Sequence, residues 1–236
     1  MCLLVLAYQV LADCPLLLAG NRDEQHARAS APLQWWPDGD LVAGRDLVAG
    51  GTWLGAARDG RFAVVTNFPT LPAPANAPSR GQLVPGFLRT RATPLEYLDE
   101  LSRQGARYAG FTLLVGDTTG VACYSNADQV VRALSAGVYG IGNGPLNEDR
   151  RRLNDARSEV TGLLNGGRAD TASLVDLFRR ADGVRGETPF LSAGAYGTRC
   201  TSVLRLSGTS MSLEEVAYGP DGTVATTSAE RWTLAP

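Results

Sequence analysis

The sequence contains no lysine, because all 22 cationic side chains among its 236 residues are arginines. This absence excludes a P-loop lysine, a Schiff-base lysine and a Ser-Lys dyad. There is one histidine, His26, so a conventional Ser-His or Cys-His triad would have to use it. The G-x-S-x-G motif of α/β-hydrolases is also missing. The lysine-dependent sites and the α/β-hydrolase motif are therefore excluded, and a triad could use only one histidine.

The cysteines are too widely spaced to predict a structural zinc site. The sequence has no C-x-x-C pair, since its four cysteines are Cys2, Cys14, Cys123 and Cys200. We therefore expect no bound metal. The first twenty residues are apolar but have no cationic region, and they include Asp13, so a secretory signal is not expected. The apolar runs are shorter than a membrane span. These features predict a cytoplasmic protein with free thiols and no membrane span.

The charge distribution gives no indication of a nucleic-acid partner. The net charge is −2, and the basic cluster Arg150, Arg151 and Arg152 is predicted to be the solvated face of a helix. A small molecule is the expected partner. The sequence leaves the oligomeric state open.

Hydrophobic periodicity and turn signals predict an α+β protein. We expect one domain over residues 1–236, with two antiparallel sheets packed together and helices outside. The loop Pro69–Pro78 is long and rich in proline, which is typical of a wall or lid over a site. The predicted strands are Cys2–Val10, Leu16–Gly20, Trp53–Ala57, Arg61–Phe68, Gly110–Asp117, Gly120–Asn126, Val138–Asn143, Thr198–Ser207, Ser210–Tyr218 and Thr223–Thr233. The predicted helices run from the capping box at Thr93 to about Arg103, from a cap at Asn147 through Leu164, and from Asp170 to Ala181.

The first ten residues, MCLLVLAYQV, place a cysteine directly after the initiator methionine. A buried strand cysteine is one interpretation. The other is a catalytic amino terminus, because removal of methionine before a small residue would give Cys2 a free α-amine. An unperturbed α-amine has a pKa of about 8 and a thiol about 8.5, so the amine can serve as the base for the thiol. Such a nucleophile needs no histidine.

The cluster Asn21-Arg22-Asp23-Glu24 is predicted to lie beside Cys2. In an antiparallel hairpin the end of the second strand lies next to the start of the first. A nearby arginine would lower the thiol pKa and raise the thiolate fraction. Because side chains alternate along a strand, Arg22 and Asp23 cannot both face Cys2 on a regular strand, whereas Glu24 would share the face of Arg22. The sequence leaves open which carboxylate supports Cys2.

Six blocks in order resemble the NRDE family, the transport-and-Golgi-organisation type 2 proteins. They are MCLLVLAY, LLLAGNRDE, GRDLVAGGTWLGAARDGRFAVVTNF, SRGQLVPGFL, YGIGNGPLN and YGTRCTSVL, and the resemblance runs from residue 1 to about residue 218. That family in turn is similar to the N-terminal-nucleophile hydrolases of the penicillin V acylase and choloylglycine hydrolase group. The resemblance implies a four-layer αββα sandwich.

The resemblance also implies roles for individual residues. Cys2 matches the nucleophile, and Asn143 matches an asparagine that donates to the oxyanion. The acylases place their aspartate three residues after the arginine, where this sequence has Gln25. The implied catalytic residues are Cys2, Arg22, Asp23, Asn67, Asn143 and Arg199. The implied ligand-binding residues are Asn21, Glu24, Trp35, Trp36 and Arg80.

Two functions remain open at this point. One is a cysteine amidohydrolase that cleaves a linear carboxamide with an apolar acyl group and requires no cofactor. The other is a binding protein without catalysis, since the resemblance implies haem trafficking or the handling of acyl-CoA-type lipids. Haem would have to be ligated by Cys2, His26, another cysteine or a methionine.

Overall fold

A computed structural model of the chain describes residues 2–69, 71, 73–181 and 187–234. Within these residues the strands are β1 (Leu3–Tyr8), β2 (Leu16–Gln25), β3 (Ser30–Trp35), β4 (Leu41–Asp46), β5 (Leu54–Ala57), β6 (Phe62–Asn67), β7 (Phe111–Gly116), β8 (Val121–Ser125), β9 (Val130–Ala133), β10 (Gly137–Ile141), β11 (Ser192–Ala193), β12 (Tyr196–Ser207), β13 (Ser210–Tyr218) and β14 (Val224–Thr233). The helices are α1 (Leu83–Leu88), α2 (Pro94–Ser102), α3 (Arg151–Asn165) and α4 (Thr171–Phe178), and short 3₁₀ turns lie at Arg80–Gln82 and Gly105–Arg107.

The contacts of the chain divide it into two compact units, each with its own antiparallel sheet. The first combines the amino-terminal 28 residues with Ala136–Gly142 and Asn147–Trp232. Its sheet has the strand order β10-β1-β2-β12-β13-β14, and β11 pairs with β12. The second unit consists mainly of Ala29–Ser135, and its sheet follows the chain from β3 to β9.

In the first unit, one face of the sheet packs against α3 and α4. Alternate apolar residues of β1 and β2, including Val5 and Ala19, form a core with Leu153 of α3 and Phe178 of α4. The opposite face carries the residues between them in sequence, because strand side chains alternate. Gly20 lies on that opposite face, where a Cβ atom would come within 2.3 Å of the Leu3 carbonyl oxygen.

In the second unit, α1 and α2 cover one face of the sheet. Phe87 of α1 and Leu98 of α2 pack with Val65 and Phe111 from β6 and β7, and all four are almost fully buried. The capping box at Thr93 fixes the start of α2: its hydroxyl accepts from the Glu96 N–H, and the Glu96 carboxylate accepts from the Thr93 N–H.

The predicted α+β class with antiparallel sheets is confirmed. The hairpins β1–β2, β5–β6 and β12–β13 form where the turn signals placed them. Strands β3, β4 and β9 and helix α1 were not predicted. No helix in the described part of the chain is long and apolar enough to span a membrane. The loop Pro69–Pro78 falls partly outside the described residues, at positions 70 and 72.

The prediction that Asn147 caps a helix is wrong. Helix α3 begins four residues later, with Arg150 in the extended conformation of an N-cap. Asn147 has a positive φ of 58°, its N–H donates to the Gly140 carbonyl, and its side-chain oxygen accepts from the Gly140 N–H. It therefore closes the turn after β10, which is a common use of asparagine because it tolerates the left-handed region.

Candidate active site at the amino-terminal strand

Strand pairing brings Cys2 and Arg22 side by side. The register of β1 and β2 pairs Leu3 with Asn21, so the next antiparallel pair is Cys2 with Arg22. On its other side Arg22 pairs with Cys200 of β12. Because directly paired residues project to the same face, the three side chains form a row across the sheet, on the face away from α3 and α4.

The four residues Asn21 to Glu24 divide between the two faces of the sheet. Asn21 and Asp23 point to the helix side, where their side chains contact residues of α3, α4 and the segment before β11. Arg22 and Glu24 share the other face and form an ion pair, with Arg22 Nη2 3.7 Å from Glu24 Oε2. The alternation inferred from the sequence is therefore present, and Glu24 is the carboxylate beside Arg22.

Asn21 is completely buried, and its side chain joins β2 to surrounding elements. Its Nδ2 donates to the carbonyls of Phe178 and Pro189, both at 2.8 Å. Its Oδ1 accepts from the Thr201 hydroxyl at 2.7 Å, and Thr201 in turn accepts from the Tyr218 hydroxyl. The Asn21 side chain, which the resemblance assigns to ligand binding, is thus hydrogen-bonded to three protein groups.

Asp23 forms a buried ion pair with Arg152 of α3. Arg152 Nη2 lies 3.0 Å from Asp23 Oδ2, and the side chains are 10% and 0% exposed. The Thr198 hydroxyl donates to the other carboxylate oxygen at 2.8 Å. Burial raises the pKa of Asp23, while the positive charge of Arg152 opposes this by favouring the carboxylate. A charge in this position is tolerated because both oxygens are hydrogen-bonded.

Arg152 corrects the prediction that Arg150 to Arg152 form a solvated helix face. Arg151 is exposed and Arg150 pairs with Glu148 outside the core, but Arg152 is buried. The sequence did contain a signal for this: the buried residues of α3 include the i, i+4 row Arg152, Ala156, Val160 and Leu164. An arginine in phase with an apolar stripe indicates a buried partner of opposite charge.

Cys2 is buried, with 9% of the residue exposed. Burial raises its pKa, and the negative charge of Asp23 raises it further. A hydrogen bond from the Asp23 backbone N–H and the positive charge of Arg22 both act in the opposite direction. The thiol form is therefore favoured near neutrality, and nucleophilic attack would require a base.

Arg199, the second predicted arginine of the site, lies near Arg22 but has other contacts. Its Nη1 donates to the carbonyls of Gln25, His26 and Arg28 at 3.0, 2.8 and 3.1 Å. Burial and the charge of Arg22 lower its pKa. These bonds hold the chain where it leaves β2.

The two predicted oxyanion asparagines meet within the second unit. Asn143 Nδ2 donates to the Asn67 carbonyl at 2.6 Å, at the end of β6. The Thr112 hydroxyl donates to the Gly144 carbonyl at 2.7 Å and anchors the same segment to β7. One amide hydrogen of Asn143 is used in this contact, which leaves the second for another acceptor.

The predicted ligand-binding tryptophans of the second unit each stack against arginine. The Arg58 guanidinium lies 3.9 Å from the centre of the Trp35 ring. Arg45 and Arg89 lie 4.6 and 5.5 Å from the centre of the Trp36 ring. Sequence reasoning missed these three arginines, because they lie on separate elements and meet only through folding. The remaining residue of the predicted set, Arg80, donates from Nη1 to the Gly110 carbonyl at 2.9 Å.

The described residues contain no group of three or more histidine, cysteine, aspartate or glutamate side chains placed to hold a metal ion. All four cysteines are free thiols and buried: Cys2, Cys14, Cys123 and Cys200. Burial raises the pKa of Cys123 to about 12, and burial together with the Glu215 carboxylate raises that of Cys200. The raised pKa values make Cys123 and Cys200 poor nucleophiles. Among the four cysteines, Cys2 has the largest exposed fraction of the residue, 9% against 5% for Cys14 and Cys200 and 1% for Cys123.

The chain is similar to known proteins over most of its length. Residues 1–216 match the family model described as Transport and Golgi organisation 2. The chain belongs to this family. The homologue from Bos taurus, named Transport and Golgi organization protein 2 homolog, is 31% identical over 223 residues, which cover 80% of this chain and 81% of the bovine one. The Drosophila melanogaster protein is 27% identical over 224 residues, covering 86% and 78% of the respective chains.

Solved structures identify the fold of this family member. An N-acylethanolamine-hydrolyzing acid amidase ortholog from Caenorhabditis elegans matches with a TM-score of 0.54 at 12% identity, covering 86% of this chain and 92% of that one. A variant of the conjugated bile acid hydrolase from Clostridium perfringens matches with a TM-score of 0.58 at 10% identity, covering 98% and 97%. The family member therefore has the N-terminal-nucleophile hydrolase fold.

Proposed function

We propose that the protein is a cysteine amidohydrolase of the N-terminal-nucleophile type. The observation that carries the proposal is the position of Cys2: it directly precedes the first strand, next to the Leu3–Asn21 pair that starts the register of β1 and β2, in a chain with the fold of known amidases. The proposed substrate is a linear carboxamide with an apolar acyl group, as the family resemblance suggests.

The proposed reaction begins with removal of Met1, which frees the α-amine of Cys2. The amine accepts the thiol proton, and the sulfur forms a bond to the amide carbon, whose oxygen becomes an oxyanion. One hydrogen-bond donor to such an oxyanion typically contributes about 3 kcal/mol to lowering the barrier. The C–N bond then breaks, the leaving amine takes the proton, and water hydrolyses the thioester to a carboxylate.

Intact-mass measurement and labelling of Cys2 test this proposal together. We expect the mass of the purified protein to lack Met1. We also expect an amide-directed electrophile to acylate the Cys2 thiol faster than the other three thiols. Cys2→Ala should abolish hydrolysis of an N-acyl amide, whereas Cys123→Ala, which removes a buried thiol, should retain it. If the protein keeps Met1 and is not labelled at Cys2, the proposed amidohydrolase function is wrong.

A second candidate is a binding protein that uses the fold without catalysis. Two observations favour it: the Cys2 thiol is buried with a raised pKa, and the relatives are named for transport and Golgi organisation. Arg45, Arg58 and Arg89 beside the two tryptophans offer cationic and aromatic groups to an acyl-CoA-type ligand. For haem as cargo, Cys2 and the half-buried His26 are the more accessible ligands among the described thiols and imidazole.

Titration separates the two ligands of this candidate. Acyl-CoA binding should weaken at least severalfold in Arg45→Gln and Arg58→Gln, while Arg103→Gln, an exposed helix arginine, should bind as the wild type does. Haem binding should give a Soret band that changes in Cys2→Ala or His26→Ala. Absence of binding by both ligands would exclude this function.

A further inference from the structure

A groove of about 300 Å³ lies between helix α3 and strand β10, the edge strand of the first sheet. The residues that line it are Val138 of β10 and Asn154, Arg157, Ser158 and Thr161 of α3. The four helix residues follow the spacing i, i+3, i+4 and i+7, so they form one polar row beside the buried row of the same helix. The groove therefore has a polar helix flank on one side and a sheet edge on the other.

The hydrogen bonds of β10 show which of its backbone groups face outward. The Gly140 carbonyl accepts from the Asn147 N–H at 2.9 Å, and the Gly140 N–H donates to the Asn147 side chain at 2.8 Å. Both backbone groups of Gly140 therefore point away from β1. Because antiparallel pairs alternate between hydrogen-bonded and non-hydrogen-bonded, Val138, two residues earlier, has the same orientation. Its N–H and carbonyl thus face outward, and no described residue is bonded to them there.

This edge is open to pairing with another strand. Edge strands in native sheets commonly carry charged residues, proline or a bulge that prevents such pairing. Strand β10 reads GVYGI, without a charge or a proline, and its register with β1 is regular over its whole length. The turn at Asn147 occupies the edge at Gly140, whereas the hydrogen-bonding groups of Val138 are left for another chain.

Arg157 supplies the positive charge of the groove. It is half-buried, and within the described part of the chain its guanidinium has no ion pair or hydrogen bond. Its acidic neighbours along α3, Asp155 and Glu159, pair with other arginines. Farther along the row, Asn154 donates to the Asp149 carboxylate at 2.7 Å, so the positive end of the groove is at Arg157. A half-buried arginine without a carboxylate partner favours an anionic ligand.

We propose that this groove binds an extended, acidic segment of a partner protein, which adds a strand to β10 and places a carboxylate against Arg157. The Val138 side chain packs toward the core of α3, and directly paired residues project to the same face of a sheet. A residue paired with Val138 therefore has its side chain on the α3 side, where Arg157 lines the groove. Strand addition uses both the N–H and the carbonyl of Val138. A small carboxylate would use the N–H alone, which is why a peptide is favoured.

The groove is separate from the candidate active site. Val138 pairs with Ala7 of β1, five residues after Cys2, which is about 17 Å along an extended strand. It also lies on the sheet face that α3 covers, whereas Cys2 belongs to the row on the opposite face. Peptide binding at the groove is therefore independent of the amidohydrolase function.

Fluorescence anisotropy with a labelled peptide tests the proposal. The probe is Val-Thr-Glu-Thr-Val, with fluorescein at its amino terminus and an amide at its carboxyl terminus, so that the glutamate carries its only carboxylate in the chain. We expect saturable binding that weakens about tenfold in Arg157→Gln, because a hydrogen bond to a charged group is lost. Arg151→Gln is the matched control, since Arg151 lies on the same helix but is 72% exposed and outside the groove, and it should bind the probe as the wild type does.

Changes in the peptide separate the charge from the strand pairing. Glutamine in place of the glutamate should weaken binding to the wild type as much as Arg157→Gln does, and it should cause no further loss in that variant. N-methylation of the glutamate nitrogen removes the N–H that would donate to the Val138 carbonyl. The methylated peptide should not bind.

The proposal is wrong if the probe does not bind, if Arg157→Gln binds it as tightly as the wild type, or if the methylated peptide binds equally well. Competition by N-acetylglutamate amide at the same concentration as the unlabelled peptide would also overturn it, by assigning the groove to small carboxylates. Cys2→Ala should bind the probe normally. Loss of binding in that variant would place the peptide at the candidate active site and contradict the groove.

Discussion

The two faces of the strand end Asn21 to Glu24 differ in how completely their polar groups are paired. On the helix side, Asn21 and Asp23 are fully buried, and their side-chain atoms bond carbonyls, hydroxyls and Arg152. On the other side, Arg22 and Glu24 are 14% and 25% exposed and meet at 3.7 Å. Polar groups that are fully paired stabilise the native structure, whereas loosely paired charges remain available to a neighbouring thiol. The four residues Asn21 to Glu24 thus stabilise the fold on one face of the sheet and provide charged groups for the candidate site on the other.

The largest expected effect is on the helix face, at Arg152. Arg152→Met leaves the Asp23 carboxylate buried without its cation, and such a loss costs about 3–5 kcal/mol of the free energy of unfolding. Urea denaturation measures it. Arg151→Met should change the stability by less than about 0.5 kcal/mol, because it alters an exposed side chain. Equal effects of the two substitutions would contradict the comparison.

The cost at Arg152 should also grow with pH. Without the cation, the folded-state pKa of Asp23 rises further above its unfolded value, so the variant is favoured while the carboxyl is protonated and loses stability as the pH rises through that raised value. The wild-type protein loses less over the same range. We therefore expect a smaller stability difference at pH 5 than at pH 8. A constant difference would indicate that Asp23 does not titrate.

Asn21 should give the next largest effect. Asn21→Ala removes one hydrogen-bond partner each from the Phe178 carbonyl, the Pro189 carbonyl and the Thr201 hydroxyl, at a cost of about 2–4 kcal/mol. Thermal and urea unfolding report the loss. A variant as stable as the wild type would show that the helix-face network is dispensable.

On the opposite face, Arg22 should affect chemistry more than stability. Arg22→Gln removes a charge that lowers the Cys2 pKa, so the pKa should rise and iodoacetamide labelling at pH 7 should slow. The stability should fall by only about 1 kcal/mol, since the ion pair with Glu24 is long and partly exposed. Arg22→Lys should retain most of the labelling rate. Unchanged labelling in Arg22→Gln would show that this face does not tune the thiol.

The smallest expected effect is at Glu24. Glu24→Gln loses two long, partly exposed ion pairs, with Arg22 and Arg28, and should change the free energy of unfolding by less than about 0.5 kcal/mol. Urea denaturation of Glu24→Gln, run in parallel with Asn21→Ala, measures this change in the free energy of unfolding. A loss as large as that of Asn21→Ala would contradict the difference between the faces.

Local signals predicted the elements whose ends are marked by side chains. Thr93 and Glu96 formed the capping box that begins α2, and the Asp59-Gly60 turn joins β5 to β6. Strands β3 and β4 were missed because the segment around Trp35 and Trp36 is interrupted by proline, glycine and aspartate, which are typical of loops. Pairing with a neighbouring strand stabilises it despite those residues.

The candidate site was predictable in part. Alternation along β2 separated Arg22 from Asp23, and hairpin topology predicted Arg22 beside Cys2, in line with the observed register that pairs Leu3 with Asn21. The pairing of Asp23 with Arg152 could not be predicted as a pair, because 129 residues separate them along the chain. Helical phase indicates only that Arg152 is buried, and the identity of its partner depends on how α3 packs against β2.

The sequence by itself determined local properties of this protein: which residues alternate, where most turns and the Thr93 cap occur, and that a cysteine directly precedes the first strand. Only the tertiary structure decided which charges meet. A buried charge requires a partner at hydrogen-bonding distance, and that distance depends on the packing of elements that are far apart along the chain.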